Sequence, residues 1–236
     1  MADLKKAEEM LQMYLRPQTY PVALKLCSSE RELPEKVKMP MRDLGYQVTI
    51  CQAIGMARRF GWTLAVGSDD QCCIGGALAM GFVDKVPQGL PFPEEKLPAP
   101  GSYSHLLISP MNRADFEPDI VVAYTNSAQA MRLGHAAVMG AGLKVLAEAS
   151  GLGDCVDVVG STAKKGECQF ILPSGGDRIF GSTQDHEVIF AIPGNKLDAV
   201  MNGLEGTHKM GFRYPVMTDM NHRPVLPPFL EIPQNS

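Results

Sequence analysis

Between Trp62 and Phe82 the chain passes from a short apolar run, through a polar turn, into a run of small residues. Trp62 to Val66 reads as a buried strand. Ser68-Asp69-Asp70-Gln71 is the turn, and its two carboxylates offer helix-capping oxygens. The adjacent thiols Cys72 and Cys73 come next, then a small-residue helix, Ile74 to Met80. A strand feeding a helix through a turn suits an α/β sheet. Open α/β sheets take ligands outside the carboxyl ends of their strands, where such a turn lies. A helix start carries partial positive charge and free N–H groups, and these favour thiolate over thiol. Gly75 and Gly76 let a backbone or a cofactor come close. The stretch reads as the floor of a site.

The flanking chain supplies the other elements. Residues 3–15 predict a helix with Leu4, Met10, Leu11, Tyr14 and Leu15 along one side. Tyr20 to Cys27 predicts a strand, with Cys27 as a buried structural thiol. Residues 28–47 read as a surface loop. Val48 to Phe60 predicts a helix with Thr49 as N-cap, Cys51 in its first turn and Gly61 closing it. Arg58 and Arg59 in its last turn suit the helix dipole better than an anion site. Pro87 to Gly101 holds five prolines and is a surface crossing or a flap. Ser104–Ser109 and Ile120–Ala123 predict strands. The segment between them is too short for a crossover helix, so they are expected to be antiparallel neighbours. Asn126 and Ser127 cap a further helix. The later GAGLKV lacks the third glycine of a dinucleotide fingerprint and follows a helix, not a strand. Gly151 to Asp157 reads as a Gly-rich turn carrying Cys155. Gly166 to Pro173 predicts a strand, Ser174 to Arg178 a tight turn with one cation, and His186 to Pro193 the last clear strand. A helix follows from Lys196 to Glu205. The whole predicts a single α/β (or α+β) domain, residues 1–205, with a mixed β-sheet flanked by helices. The Pro-rich tail, residues 206–236, is expected to pack on the body or on a partner subunit.

Charge narrows the partners. The net charge is −4 and no basic block is visible, so nucleic acid is not expected. No apolar run approaches the roughly 20 residues that span a bilayer. The N-terminus mixes acidic and basic residues and lacks the apolar core of a signal peptide, so a cytoplasmic protein is expected. Six cysteines occur without a CxxC pair, which argues against a zinc ribbon or a thioredoxin-type motif. In a reducing compartment they are not a disulfide framework.

Several short motifs occur in a telling order. They are Cys51-Gln52-Ala53, Cys73 before the small-residue helix ending Gly81-Phe82, Phe116 to Val122, Cys155-Val156-Asp157 and Ile192 to Leu197. In these the chain resembles domain-of-unknown-function family 169 of bacteria and archaea, often found in anaerobes. The likeness runs from near residue 10 to near residue 215. The resemblance implies a cysteine-bearing protein, with family cysteines matched at Cys51, Cys73 and Cys155. Many members also carry a cysteine near a Gly-x-Arg turn. Here that turn is Gly176-Asp177-Arg178, preceded by Ser174 and Gly175.

Three readings of the site follow. In the first, Cys51, Cys73 and Cys155 hold an iron–sulfur cluster of the [4Fe-4S] kind in anaerobic redox metabolism. Cys72 or Cys168 is then a fourth ligand, or one iron stays open to a small ligand, and Arg178 neutralises an anionic cluster or substrate. In the second, Cys73 is the nucleophile of a thiol enzyme with His105, His135 or His186 as base. In the third, the chain binds a small ligand or assembles without chemistry of its own. The Pro-rich segment and the tail suit a homo-oligomer interface, and a redox partner accompanies the first reading.

Overall fold

The computed structural model describes residues 3–85, 94–149, 153–216 and Glu231. Seven strands build one sheet: β1 Val22–Cys27, β2 Leu64–Gly67, β3 His105–Pro110, β4 Ile120–Thr125, β5 Val145–Leu146, β6 Cys168–Ile171 and β7 Val188–Pro193. Their spatial order is β2-β3-β1-β4-β7-β6-β5. Neighbours are antiparallel except β5 and β6, so the sheet is mixed, as expected. The helices are α1 Leu4–Tyr14, α2 Ile50–Phe60, α3 Ile74–Ala79, α4 Ser127–His135, α5 Ser161–Lys165, α6 Gly175–Phe180 and α7 Leu197–Lys209.

Successive strand side chains point to opposite faces of a sheet, and here each face meets its own helices. Val22, Leu24, Ile120, Val122, Tyr124, Ile189 and Ala191 pack on one side with Ile50, Ala53 and Ile54 of α2, Leu78 of α3 and Val156. Val121, Ala123, Phe190 and Ile192 pack on the other with Leu4 and Leu11 of α1, Leu133 of α4 and Leu197, Val200 and Leu204 of α7. Burial on both faces is why β4 (IVVAYT) and β7 (VIFAIP) read as near-continuous apolar runs, a pattern usual for parallel sheets. Each fully buried Leu, Ile or Val contributes about 1.5–3 kcal/mol.

Local capping explains where the site-bearing helices begin. The Thr49 hydroxyl accepts from the Gln52 amide at 3.0 Å, and the Gln52 side chain returns to the Thr49 amide, closing a capping box. Gly61, at φ 71°, ends α2 in the left-handed conformation. Asn126 and Gln129 form the same box before α4.

Five expectations are corrected. β3 and β4 are not neighbours, because β1 lies between them and pairs with both. A nine-residue link has room to pass the end of an inserted strand, and sequence gives no sign of the insertion. The strand of the opening motif, β2, is an antiparallel edge strand, so the carboxyl-edge argument for parallel sheets does not apply. Asp70 does not cap α3. Its carboxylate accepts from the Met41 and Gly67 amides and pins that loop to the end of β2, while Cys73 takes the N-cap position. Cys155 does not sit in a turn; it opens a wide π-helical turn, Cys155–Gly160, that runs into α5. Ser174 to Arg178 is the first part of a helix, α6, whose N-cap Ser174 accepts from the Asp177 amide at 3.4 Å.

The Pro-rich segment falls partly outside the described residues, as does the tail beyond Val216. The start of the tail packs on the body: Phe212 lies 4.5 Å from the His135 ring and the Tyr214 hydroxyl meets Asn126 at 3.0 Å. Among the described residues no helix is long and apolar enough to cross a membrane.

Candidate functional site

Three thiols lie on the α2 side of the sheet. Cys51 is the second residue of α2, Cys73 the N-cap of α3, and Cys155 the first residue of its π-helical turn. The Cys155 thiol lies within electrostatic reach of both Cys51 and Cys73. Two backbone links bring the first two helix starts together. Val48 donates to the Asp70 carbonyl at 2.8 Å and Cys72 donates to the Val48 carbonyl at 3.1 Å. α3 then packs on the turn that carries Cys155. All three thiols are partly buried, and all six cysteines of the chain are free.

Behind the thiols lies a buried polar network. Asp154, next to Cys155, accepts from the Ser174 amide at 2.7 Å and meets the Ser174 hydroxyl at 3.2 Å. Asp177 accepts from the Tyr124 hydroxyl at 3.2 Å and from the Thr183 hydroxyl at 2.6 Å. Arg58 donates to the Thr183 hydroxyl at 3.0 Å, pairs with Glu187 at 2.8 Å and lies 3.8 Å from the centroid of the Tyr124 ring. Gly181 is required where the network touches α2. A Cβ there would collide with the Asp177 carboxylate and come within 3.0 Å of the Cys51 carbonyl.

The electrostatics follow from burial. Desolvation pushes the Cys51 thiol up to about 11, the Thr49 hydroxyl 3.0 Å away pulls it down, and Asp177 and Asp154 push it further up. Desolvation also drives Cys155 well upward, helped by its two thiol neighbours and Asp154. Asp154 is raised to about 7, first by burial and then by the charge of Asp177. Burial raises Asp177 too, against the pull of Thr183 and Arg58. Both thiols are therefore neutral near pH 7, and the acidic pair carries less than its formal charge.

The predicted site residues divide. Cys155 lies within electrostatic reach of Cys51 and of Cys73. Gly76 is close-packed, but against protein: a Cβ there would meet Ile50 Cγ1 at 2.8 Å and Gln71 Oε1 at 3.3 Å, so the space is filled by α2. Gly75 is buried in the same turn. Arg178 donates to the Gln184 carbonyl at 3.0 Å and faces Asp185 at 3.4 Å, held by its own loop. The cation of the network is Arg58, buried rather than at the surface. Cys168 packs on the opposite face of the sheet with Phe170, which removes it as a fourth thiol. Cys72 is exposed. His135 lies on that opposite side against Phe212, and His186 is exposed. His105 bonds Ser104 at 3.0 Å. Among the described residues no histidine hydrogen-bonds Cys73. Sequence reasoning missed Tyr124, Asp154, Asp177, Thr183 and Glu187. Asp154 had a signal in its place beside Cys155; the Arg58–Glu187 pair, 129 positions apart, had none.

The thiols are not set for a single ion. Among the described residues no three His, Cys, Asp or Glu side chains are grouped as one metal ion requires. The arrangement is instead a mixed-sheet α/β protein with thiols at three helix starts, backed by a buried acid–arginine network. Residues 10–203 match DUF169, described as uncharacterised ArCR, and the chain belongs to this family. It is similar to an uncharacterized protein, MJ0308, of Methanocaldococcus jannaschii. The two are 25% identical over 221 residues, which covers 85% of this chain and 93% of that protein. No solved structure matches.

Proposed function

We propose that the protein holds an iron–sulfur cluster through Cys51, Cys73 and Cys155 and serves anaerobic redox metabolism with it. The observation that carries this reading is that Cys155 lies within electrostatic reach of Cys51 and Cys73, all three remote along the chain and each near the start of a helical segment. The donor chemistry fits, because thiolates are the usual ligands of such clusters. Ser174 caps α6 beside Asp154, next to Cys155, and marks where a fourth ligand is lacking. One iron is then open to a small ligand. When bound, the cluster would supply electron transfer or activation of that ligand.

The chain's own groups have definite tasks in this reading. The Gln52 and Val156 backbone amides favour the charged forms of Cys51 and Cys155. Thr49 donates toward Cys51. The raised thiols must lose their protons to bind iron, so loading releases protons and strengthens as pH rises. A free nucleophile at Cys51 or Cys155 is opposed by the same upward shifts.

Anaerobic purification followed by iron and acid-labile sulfide analysis tests the reading. Iron and sulfide in matched amounts with visible absorbance are expected, and Cys51→Ser, Cys73→Ser and Cys155→Ser should each empty the site. Ser174→Cys should slow the loss of iron to a chelator. Anaerobically reconstituted protein without iron or sulfide would reject the cluster.

A further inference from the structure

A second cavity, of about 490 Å³, lies on the other side of the sheet, lined by Met131, Arg132, His135, Phe212, Tyr214 and Val216 among others. Its size falls within the range of small-ligand pockets. Arg132 is 1% exposed and yet has no carboxylate partner among the described residues. Among the described residues its two terminal nitrogens are met only by the Thr207 hydroxyl, at 3.2 Å, and the Leu204 carbonyl, at 3.4 Å, and its Nε has no hydrogen-bond partner. A buried cation left without an anion is costly, and in folded proteins buried charges are paired.

Two imidazoles stand near Arg132, and burial, ahead of the arginine charge, holds both below their ordinary range. His135 and His208 each have a buried Nδ1 without a hydrogen-bond partner among the described residues. Arg132 acts on both imidazoles, and Arg213 on His208, as a neighbouring positive charge. Beside them stands an apolar wall: Phe212 against the His135 ring, Tyr214 held by Asn126, and the half-exposed Met131 and Val216.

We propose that this cavity binds a small organic anion, its charged oxygens meeting Arg132 and its apolar body lying against Phe212 and Tyr214. The site is separate from the thiols and does not depend on the cluster. A carboxylate and a phosphate monoester share the required chemistry: anionic oxygens able to accept from Nε–H and the imidazoles.

Titration of the full-length protein with benzoate, phenyl phosphate and benzamide tests the proposal, followed by calorimetry and by the Arg132 Nε–H resonance. Saturable binding of at least one anion is expected, with a shift of that resonance. Benzamide should bind roughly tenfold or more weakly, because the charge-assisted bond is lost. The stronger of the two anions identifies the head group. Arg132→Met should lose the anion preference, and Phe212→Ala should weaken the anion while leaving the preference in place. If Arg132→Met does not fold, the wild-type resonance decides. Equal binding of benzamide, an unmoved Nε–H resonance or no saturable binding would overturn the proposal.

Discussion

Two arginines, Arg58 and Arg132, sit in the last turns of α2 and α4, on opposite sides of the sheet, and each is 1% exposed. Arg58 has a carboxylate and more: Glu187 at 2.8 Å, Thr183 at 3.0 Å, the Gly181 carbonyl at 3.3 Å and the Tyr124 ring beneath it, while its Nε, like that of Arg132, has no partner among the described residues. Arg132 has one hydroxyl and one carbonyl. Equal burial therefore means different things. On the thiol side the cation is a structural counterweight, fixed inside a network that also orders Asp177 and the Cys51 backbone. On the other side the cation is left unbalanced beside a cavity. The contrast identifies where each face has charge to spare: the first has acid near its thiols, the second has base near an opening.

Removing Arg58 tests the contrast most severely. Arg58→Met leaves Glu187 buried with Arg59 at 3.5 Å and the Gln184 amide at 2.7 Å, and a loss of about 3–5 kcal/mol is expected in chemical denaturation. A loss below about 1 kcal/mol would mean that the network is not structural.

The acidic pair should give the metal-free protein a pH dependence of its own. Asp154 is raised to about 7 when folded, against roughly 3.9 in an unfolded chain. Between those values the folded state binds more protons, so this contribution is complete below pH ~4 and is lost as pH climbs through ~7. Asp154→Asn should remove a decline on the order of 2–4 kcal/mol over that window, read from stability curves of the two proteins at matched pH. Parallel curves would place the proton elsewhere.

Smaller effects sharpen the picture. Gly181→Ala forces a methyl into the Asp177 carboxylate and toward the Cys51 carbonyl. It should cost about 1–3 kcal/mol and, with the cluster bound, speed iron loss. Arg132→Met strands no charge, and Thr207 keeps its bond to the Gly203 carbonyl at 2.8 Å. Its stability should stay within about 1 kcal/mol of the parent. A loss as large as that of Arg58→Met would erase the distinction between the two arginines.

What the sequence revealed was local. The Thr49 cap, the Gly61 terminator, the Asn126 cap and the small-residue helix were legible because a few adjacent residues determine each of them. Cys51 and Cys73 were legible as residues at helix starts, whereas Cys155 was read as part of a turn. The insertion of β1 between β3 and β4 was hidden, because pairing partners are chosen by packing across the whole sheet. Cys168 was not assignable to a face, since strand alternation says which residues share a side but not which side that is. Arg58 looked like a dipole partner because its true partner lies 129 positions away. Ser174 to Arg178 looked like a turn because the serine–glycine start of a short helix has the same composition as a bend.

The place of β1 also governs how the molecule can be made. β1 leaves the ribosome before both strands that flank it, and the second of them ends at Thr125. At about 5–20 residues per second, the nascent chain waits roughly 5–20 s with that apolar ribbon unpaired. During biosynthesis this interval, more than the stability of the finished protein, is when holding by a chaperone should raise the yield.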